Sequence, residues 1–279
     1  MHDVAIRVDN VHVNYPVEGK PSRRILNGID LQIESGEFVS IVGQTGCGKS
    51  TLLRLILGEE RPTHGRVLVN GCERAKPDRL CGYVPQKYSL FPDKTVLDNV
   101  TFGLEVSEFG AFSRFRPAHS RRMKEFRAVA LRYLEHTGLS EADSCKYPHQ
   151  LSGGMQQRVA IAQALILKPP ILLMDEAFSA LDPGTRSGMQ QLIKELWRQS
   201  GTTIVFVTHN TREAACLGTR IVALAKKGDE GSSIALEVAV PHLDFNSDEC
   251  EIRDLVGEVE YSTQSGMNRM QLRSVAIFT

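Results

Sequence analysis

Across 279 residues, 33 Lys and Arg balance 33 Asp and Glu, and apolar residues make up 42%. That length supports one large domain with a sizeable core, and the composition is neither that of a disordered nor of a fibrous chain. A formal charge of zero removes the electrostatic case for a nucleic-acid partner.

The opening third reads as β-rich. Short β-branched runs occur at Ala5–Val8, Ile29–Ile33, Phe38–Val42 and Arg66–Val69. Turn residues separate them at Glu34–Glu37, Pro62–Gly65 and Asn70–Gly71. From Ser50 to Leu57 the pattern becomes helical and stops at Gly58. Val96 to Leu167 is mostly helical, with a basic stretch from Arg114 to Arg127 that reads as a solvated helix face. Two buried-strand patterns then follow, Ile171–Met174 and Thr203–Val207, with a helix predicted between them from Arg186 to Gln199. Strand, helix, strand in that order implies a right-handed parallel crossover. Beyond Gly228 come a strand candidate at Ile234–Val240, a helix candidate at Asp248–Val259 and a polar tail.

The longest apolar runs are broken by Lys168, Pro169 and Pro170, far short of the ~20 residues that cross a bilayer. Met1–Val4 lacks the basic-then-apolar pattern of a secretory leader. Cysteines 47, 72, 81, 145, 216 and 250 form no close pair at metal-ligand spacing and read as reduced cytosolic thiols.

The segment Gly43-Gln44-Thr45-Gly46-Cys47-Gly48-Lys49-Ser50-Thr51 directly follows a strand pattern and opens a helix. It therefore meets the contextual condition of a phosphate-binding loop. Its glycines let successive N–H groups turn toward one anion, and the following helix adds free donors and a positive dipole end. Lys49 brings a full charge to the β- and γ-phosphates, and Ser50 a hydroxyl ligand for Mg²⁺. The strand Ile171–Met174 ends in Asp175-Glu176. There Asp175 is placed to hold Mg²⁺ opposite Ser50, and Glu176 to orient a water attacking the γ-phosphate. Alone, such a pair is more often a helix cap. Together with the loop it predicts a nucleoside-triphosphatase.

The stretch Leu151-Ser152-Gly153-Gly154-Met155-Gln156-Gln157-Arg158 precedes an apolar helix. Ser152 caps that helix and the glycines expose N–H groups, which makes a second anion cradle, or a plain N-cap. One nucleotide loop and two cradles point to a symmetric dimer in which each copy lends its cradle to the other's ATP.

The motif order "GQTGCGKST", "YVPQ", "LSGGMQQRVAIAQAL", "ILLMDEAFSALD" and "VTHN" resembles the nucleotide-binding subunit of ATP-binding cassette (ABC) transporters, over about residues 4 to 226. The resemblance implies an α/β fold of the P-loop NTPase kind: a RecA-like mixed sheet with helices, an antiparallel β subdomain and an inserted helical subdomain. Residues 1–279 would form a single ABC ATPase domain. Within it, 1–95 and 168–228 would be the nucleotide-binding core, 96–167 the helical subdomain, and 229–279 a C-terminal extension. It also implies that Tyr15 stacks on adenine, and that Gln86 touches Mg²⁺ and the attacking water. Ser152, Gly153, Gly154, Met155 and Asp182 would meet the ATP of the opposite copy, and His209 the γ-phosphate. Each has a bland alternative: a core tyrosine, a buried amide, an unliganded N-cap, a satisfied histidine. Met155, Gln163 and Ala177 depart from the family's commonest residues, and none of them removes a phosphate donor or metal ligand.

In this family ATP closes the dimer and hydrolysis opens it, while membrane subunits convert the motion into transport. The resemblance therefore implies a peripheral protein on the cytoplasmic face of the membrane. Its partners would be a second copy, a separate permease and, indirectly, a solute-binding protein, with no nucleic acid. "SLFPDKTVLDNVTFGLE" and Met155 look most like the nitrate/sulfonate/taurine-type importers. Two other classes stay open: an export or lipoprotein-extraction motor, and a soluble cassette acting on nucleic acid.

Overall fold

The computed structural model describes residues 3–87, 89–109, 117–240 and 249–265. The chain opens with a long hairpin, β1 (Val4–Val17) and β2 (Lys20–Glu34), paired antiparallel. Sequence alternation marks only Ala5–Val8 and Ile29–Ile33, because a bulge interrupts the pattern. The register shifts between Val8 and Val11, and Asn10 there takes φ 43° while donating its N–H to the Asp30 carboxylate at 2.8 Å. Past the bulge Val11 and Val13 are buried again, so the strand continues where the pattern appears to stop.

Next come β3 (Phe38–Gly43), α1 (Lys49–Leu57), β4 (His64–Val69), β5 (Cys72–Glu73) and β6 (Cys81–Val84). After a helical insertion follow β7 (Ile171–Asp175), α6 (Pro183–Ser200), β8 (Thr203–Val207), α7 (Thr211–Leu217), β9 (Arg220–Lys226), β10 (Ser232–Ala239) and α8 (Glu249–Ser265). All strands join one mixed sheet in the order β5-β4-β1-β2-β10-β9-β3-β8-β7-β6. The β9-β3-β8-β7-β6 portion is parallel, and its central strands β3, β8 and β7 are apolar runs buried on both faces.

The sheet curls so that α1 lies between its parallel and antiparallel portions. Leu52, Leu53, Leu55 and Ile56 of α1 pack with Ile41, Leu173 and Val205 on one side and with Ile6, Val8 and Ile29 on the other. The opposite face of the parallel strands packs Phe38, Leu172, Met174 and Phe206 against Met189 and Ile193 of α6. The α7–α8 pair covers Val42, Ile221 and Ala223 with Ala214, Ala215, Ile252, Leu255 and Val259. Residues 232–239, placed by sequence at the start of a C-terminal extension, instead pair with β9 and touch β2 inside the sheet.

The insertion comprises α2 (Val96–Phe109), α3 (Pro117–His136), α4 (Glu141–Ser144) and α5 (Gly153–Leu165). It has its own core, including Val96, Val100, Ala130, Leu134, Val159 and Ala162. Of the basic stretch, Arg114 and Arg116 lie outside the described residues. Arg122 pairs with Glu108 and Glu125, and Arg127 with Asp98, on an exposed face. Among the described residues no helix is long and apolar enough to cross a membrane.

Candidate nucleotide site

The buried strand β3 delivers the chain directly into the 43–48 loop. Gly48, at φ 91° and ψ 11°, precedes α1 and has no side chain to cap its first turn. The leading N–H groups of α1 therefore remain available to an anion. Gln44, Thr45 and Gly46 are exposed at the apex, while Cys47, Lys49 and Thr51 are buried. Burial pushes the Cys47 thiol up, so any contribution from this residue to a ligand comes through its backbone. Lys49 folds back: its Nζ donates to the carbonyls of Gly43 at 2.7 Å and Gln44 at 3.1 Å. An ammonium held inside a ring of loop carbonyls is placed to turn toward a bound phosphate.

Across from α1, Asp175 ends β7 with only 4% exposure, and its Oδ1 has no hydrogen-bond partner among the described residues. Burial pushes its carboxyl up, the Ser50 hydroxyl pulls it down, and the charge of Glu176 pushes it up again. Burial, aided by the Asp175 charge, likewise pushes the nearby Tyr83 phenol up to about 12. A buried carboxylate oxygen without a partner, beside a hydroxyl, fits a hard divalent cation. Among the described residues no three His, Cys, Asp or Glu converge as a metal cage. One carboxylate and one hydroxyl suit Mg²⁺, which draws its remaining ligands from phosphates and water.

Glu176 follows with φ 46°, a left-handed conformation costly for a residue with a Cβ. It is held there because its N–H donates to Val207 at 2.9 Å and its carbonyl accepts from Ser179 at 3.0 Å. The turn swings the side chain off the strand. Glu176 Oε2 then accepts from Gln86 Nε2 at 2.9 Å and lies 3.3 Å from His209 Nδ1. Three residues named from three separate motifs thus meet on one carboxylate oxygen.

Tyr15 is half-buried against the core around α1, and its hydroxyl donates to Glu60 at 2.7 Å. The phenol is anchored, so stacking would use the ring from this position. Ser152 caps α5, accepting from Met155 N–H at 3.2 Å. Met155 turns its side chain into the helical core. Gly154 backs onto Ala180 and Leu181, and Gln157 donates to the Pro85 carbonyl at 3.4 Å, next to Gln86. Asp182 caps α6 through Thr185 N–H at 3.0 Å, which holds its exposed carboxyl below the usual range. The helix therefore starts at Pro183, three residues before the sequence estimate, because Asp182-Pro183 supplies cap and first turn. Among the described residues no hydrogen bond joins the Ser152–Met155 turn to the 43–51 loop within one chain.

Sequence reasoning missed the support under His209. Glu213 and Gln190, both buried, bond to each other, and Glu213 also accepts from the Thr208 hydroxyl. The spacing Asn210-x-x-Glu213 is a capping-box signal that marks this helix start.

The family described as ABC transporter matches residues 26–179. An ABC transporter ATP-binding protein of Methanocaldococcus jannaschii, MJ0412, is 40% identical over 80% of this chain and 79% of its own. The aliphatic sulfonates import ATP-binding protein SsuB 3 of Pseudomonas savastanoi pv. phaseolicola is 41% identical over 80% of this chain and 75% of its own. The bicarbonate transport ATP-binding protein CmpC of Synechococcus elongatus is 42% identical over 85% of this chain and 34% of its own. Among solved structures, a dimeric post-hydrolysis state of the ATP-binding cassette MJ0796 bound to ADP and Pi is 36% identical, covering 85% of this chain and 99% of that one with a TM-score of 0.74. The site at the ends of β3 and β7, the sheet order and these likenesses agree: the chain belongs to the ABC transporter family, as an ATP-binding, ATP-hydrolysing subunit.

Proposed function

We propose that this subunit powers import of a small solute of the nitrate, sulfonate or taurine kind through a separate permease, from the cytoplasmic face of the membrane. The observation that carries the hydrolytic part is the meeting of Gln86 and His209 on Glu176, beside the buried Asp175, whose Oδ1 has no partner among the described residues. The importer part rests on the sulfonate and bicarbonate transport relatives.

In this reading the loop N–H groups and Lys49 bind the phosphates, and Tyr15 stacks on the base. Ser50 and Asp175, with Gln86 alongside, hold Mg²⁺, which when bound neutralises charge on the β- and γ-phosphates. Glu176 orients a water and accepts its proton as the water's oxygen bonds to the γ-phosphorus, while the bond from that phosphorus to the β–γ bridging oxygen breaks and ADP leaves with the electron pair. His209 and Gln86 hold that carboxylate in place, and His209 donates to the γ-phosphate. Ser152, Gly153 and Gly154 of one copy close over the nucleotide of the other, with Met155 and Asp182 at the same seam.

The test is purification of the complex from its own membrane, followed by reconstitution in vesicles. Turnover should rise when a solute-binding protein loaded with sulfonate or nitrate is added on the opposite face. Stimulation by a lipoprotein substrate instead, or ATP-driven efflux, would replace the importer reading with the extraction or export one.

A further inference from the structure

We infer that Glu213 is a positioning residue for hydrolysis: a buried carboxylate that fixes the Thr208–Asn210 turn and thereby aims His209 at the γ-phosphate. The inference rests on the reading of His209 given above.

The side chain of His209 is 60% exposed, with Glu176 Oε2 3.3 Å from its Nδ1, so its direction depends heavily on the turn that carries it. Both flanks of that turn end on Glu213. Thr208 Oγ1 donates to Glu213 Oε2 at 2.6 Å, and the Glu213 N–H donates to Asn210 Oδ1 at 3.0 Å. Thr208 Oγ1 in turn accepts from the Asn210 N–H at 3.0 Å, closing a ring around the histidine's backbone. The other carboxylate oxygen, Oε1, accepts from Gln190 Nε2 at 2.5 Å. Gln190 lies on α6, the helix capped by Asp182 and expected to face the second copy, so the turn is tied to that helix as well.

A capping glutamate would reach back to the N-cap N–H and remain in solvent. Here Thr208 serves that N–H, and Glu213 is 7% exposed. Burying a carboxylate costs more than a helix cap requires, because burial disfavours its charged form. A cavity of about 70 Å³ separates Glu213 from Glu176, lined also by Ser179, Arg186, Thr208 and His209. It has room for water between the support and the catalytic carboxylate. The position therefore matches that of a residue holding His209 from behind, with the cavity between it and Glu176.

The experiment compares Glu213→Gln, His209→Ala and the double variant, in the full chain with Mg²⁺ and ATP. Losing one charge-assisted bond should lower kcat about tenfold in Glu213→Gln, with KM within about twofold. Added to His209→Ala, the same change should cost nothing further, because both act through one side chain. Where His209→Ala leaves too little turnover to measure, the ratio of ATP to ADP affinity carries the same cycle. It should fall in both single variants, at least as far in His209→Ala as in Glu213→Gln, and no lower in the double than in His209→Ala. A lowered melting temperature with normal kcat and a normal ATP-to-ADP ratio would reduce Glu213 to a structural cap. Additive losses in the double variant would overturn the link to His209. Full activity of His209→Ala alone would overturn the underlying reading of His209.

Discussion

The phosphate loop after β3 and the Ser152–Gly154 turn before α5 both offer a helix N-terminus, yet their own chain constrains them very differently. A Cβ on Gly43 would lie 2.5 Å from the Leu224 carbonyl oxygen, and one on Gly48 2.6 Å from Leu26 Cδ2. Lys49 is 6% exposed and bonded to loop carbonyls. Gly43 and Gly48 are thus required by the fold before any ligand arrives. A Cβ on Gly154 would meet Ala180 O at 3.5 Å and Leu181 Cδ2 at 3.6 Å, which is ordinary contact. Nothing among the described residues demands glycine there. That leaves its small size free for the role proposed above, closure over a second copy's nucleotide.

The largest effect belongs to the self-contained half. Glu176→Gln keeps the bonds that hold the turn but removes the proton acceptor, and should lower kcat by about 10²–10⁴-fold while ATP still binds. Rapid-quench turnover and equilibrium nucleotide binding check this; unchanged kcat would remove Glu176 from the mechanism. Next, copies carrying Lys49→Ala can be mixed with copies carrying Ser152→Ala. Half of the dimers then hold one intact composite site, so about a quarter of native activity should return. No recovery, with mixed dimers demonstrated, would mean that the sites are not shared or that both must fire. A third comparison sets Gly43→Ala against Gly154→Ala. The first should fail to fold its loop and lose ATP binding. The second should leave the isolated chain as stable or about 0.5–1 kcal/mol more stable, alanine being the better helix former, yet reduce ATP-driven dimerisation. Calorimetry and size-exclusion chromatography with ATP separate these outcomes.

Legibility in sequence follows the same division. The loop, Asp175 and Glu176 could be read because phosphate binding forces a fixed spacing of glycine, lysine and hydroxyl after a strand. The parallel strands Ile171–Met174 and Thr203–Val207 could be read because burial on both faces writes a continuous apolar run. The β1–β2 hairpin was only half visible, since the bulge at Asn10 resets its alternation. The strand β6, Cys81–Val84, is too short to signal itself, and it exists because β7 supplies a partner. Residues 232–239 carry an ordinary strand pattern, and only pairing with β9 shows that they belong to the sheet. The convergence of Gln86 and His209 on Glu176 spans three distant segments and is set by tertiary packing alone. The Glu213–Gln190 bond is equally non-local, although Asn210-x-x-Glu213 marked one end of it.

The last predicted effect, like that of Gly154→Ala, is a small gain in stability. Asp175 is held in the core with Oδ1 unpartnered, and burial pushes its carboxyl up, so its charge opposes folding until a cation arrives. Asp175→Asn keeps the shape and removes the charge. The nucleotide-free protein should gain about 1 kcal/mol, a rise in Tm of about 2–4 °C for a domain near this size. In the native protein Mg²⁺ with ATP should raise Tm further, because the pair binds only the folded state. In Asp175→Asn the Mg²⁺-dependent part of that rise should vanish, along with turnover. Thermal scans with EDTA, with ATP alone and with MgATP resolve the two contributions. A lower Tm for Asp175→Asn in EDTA would mean that the carboxylate already has a structural partner. The end of β7 would then be completed by its own fold, as the phosphate loop is, rather than waiting for a metal.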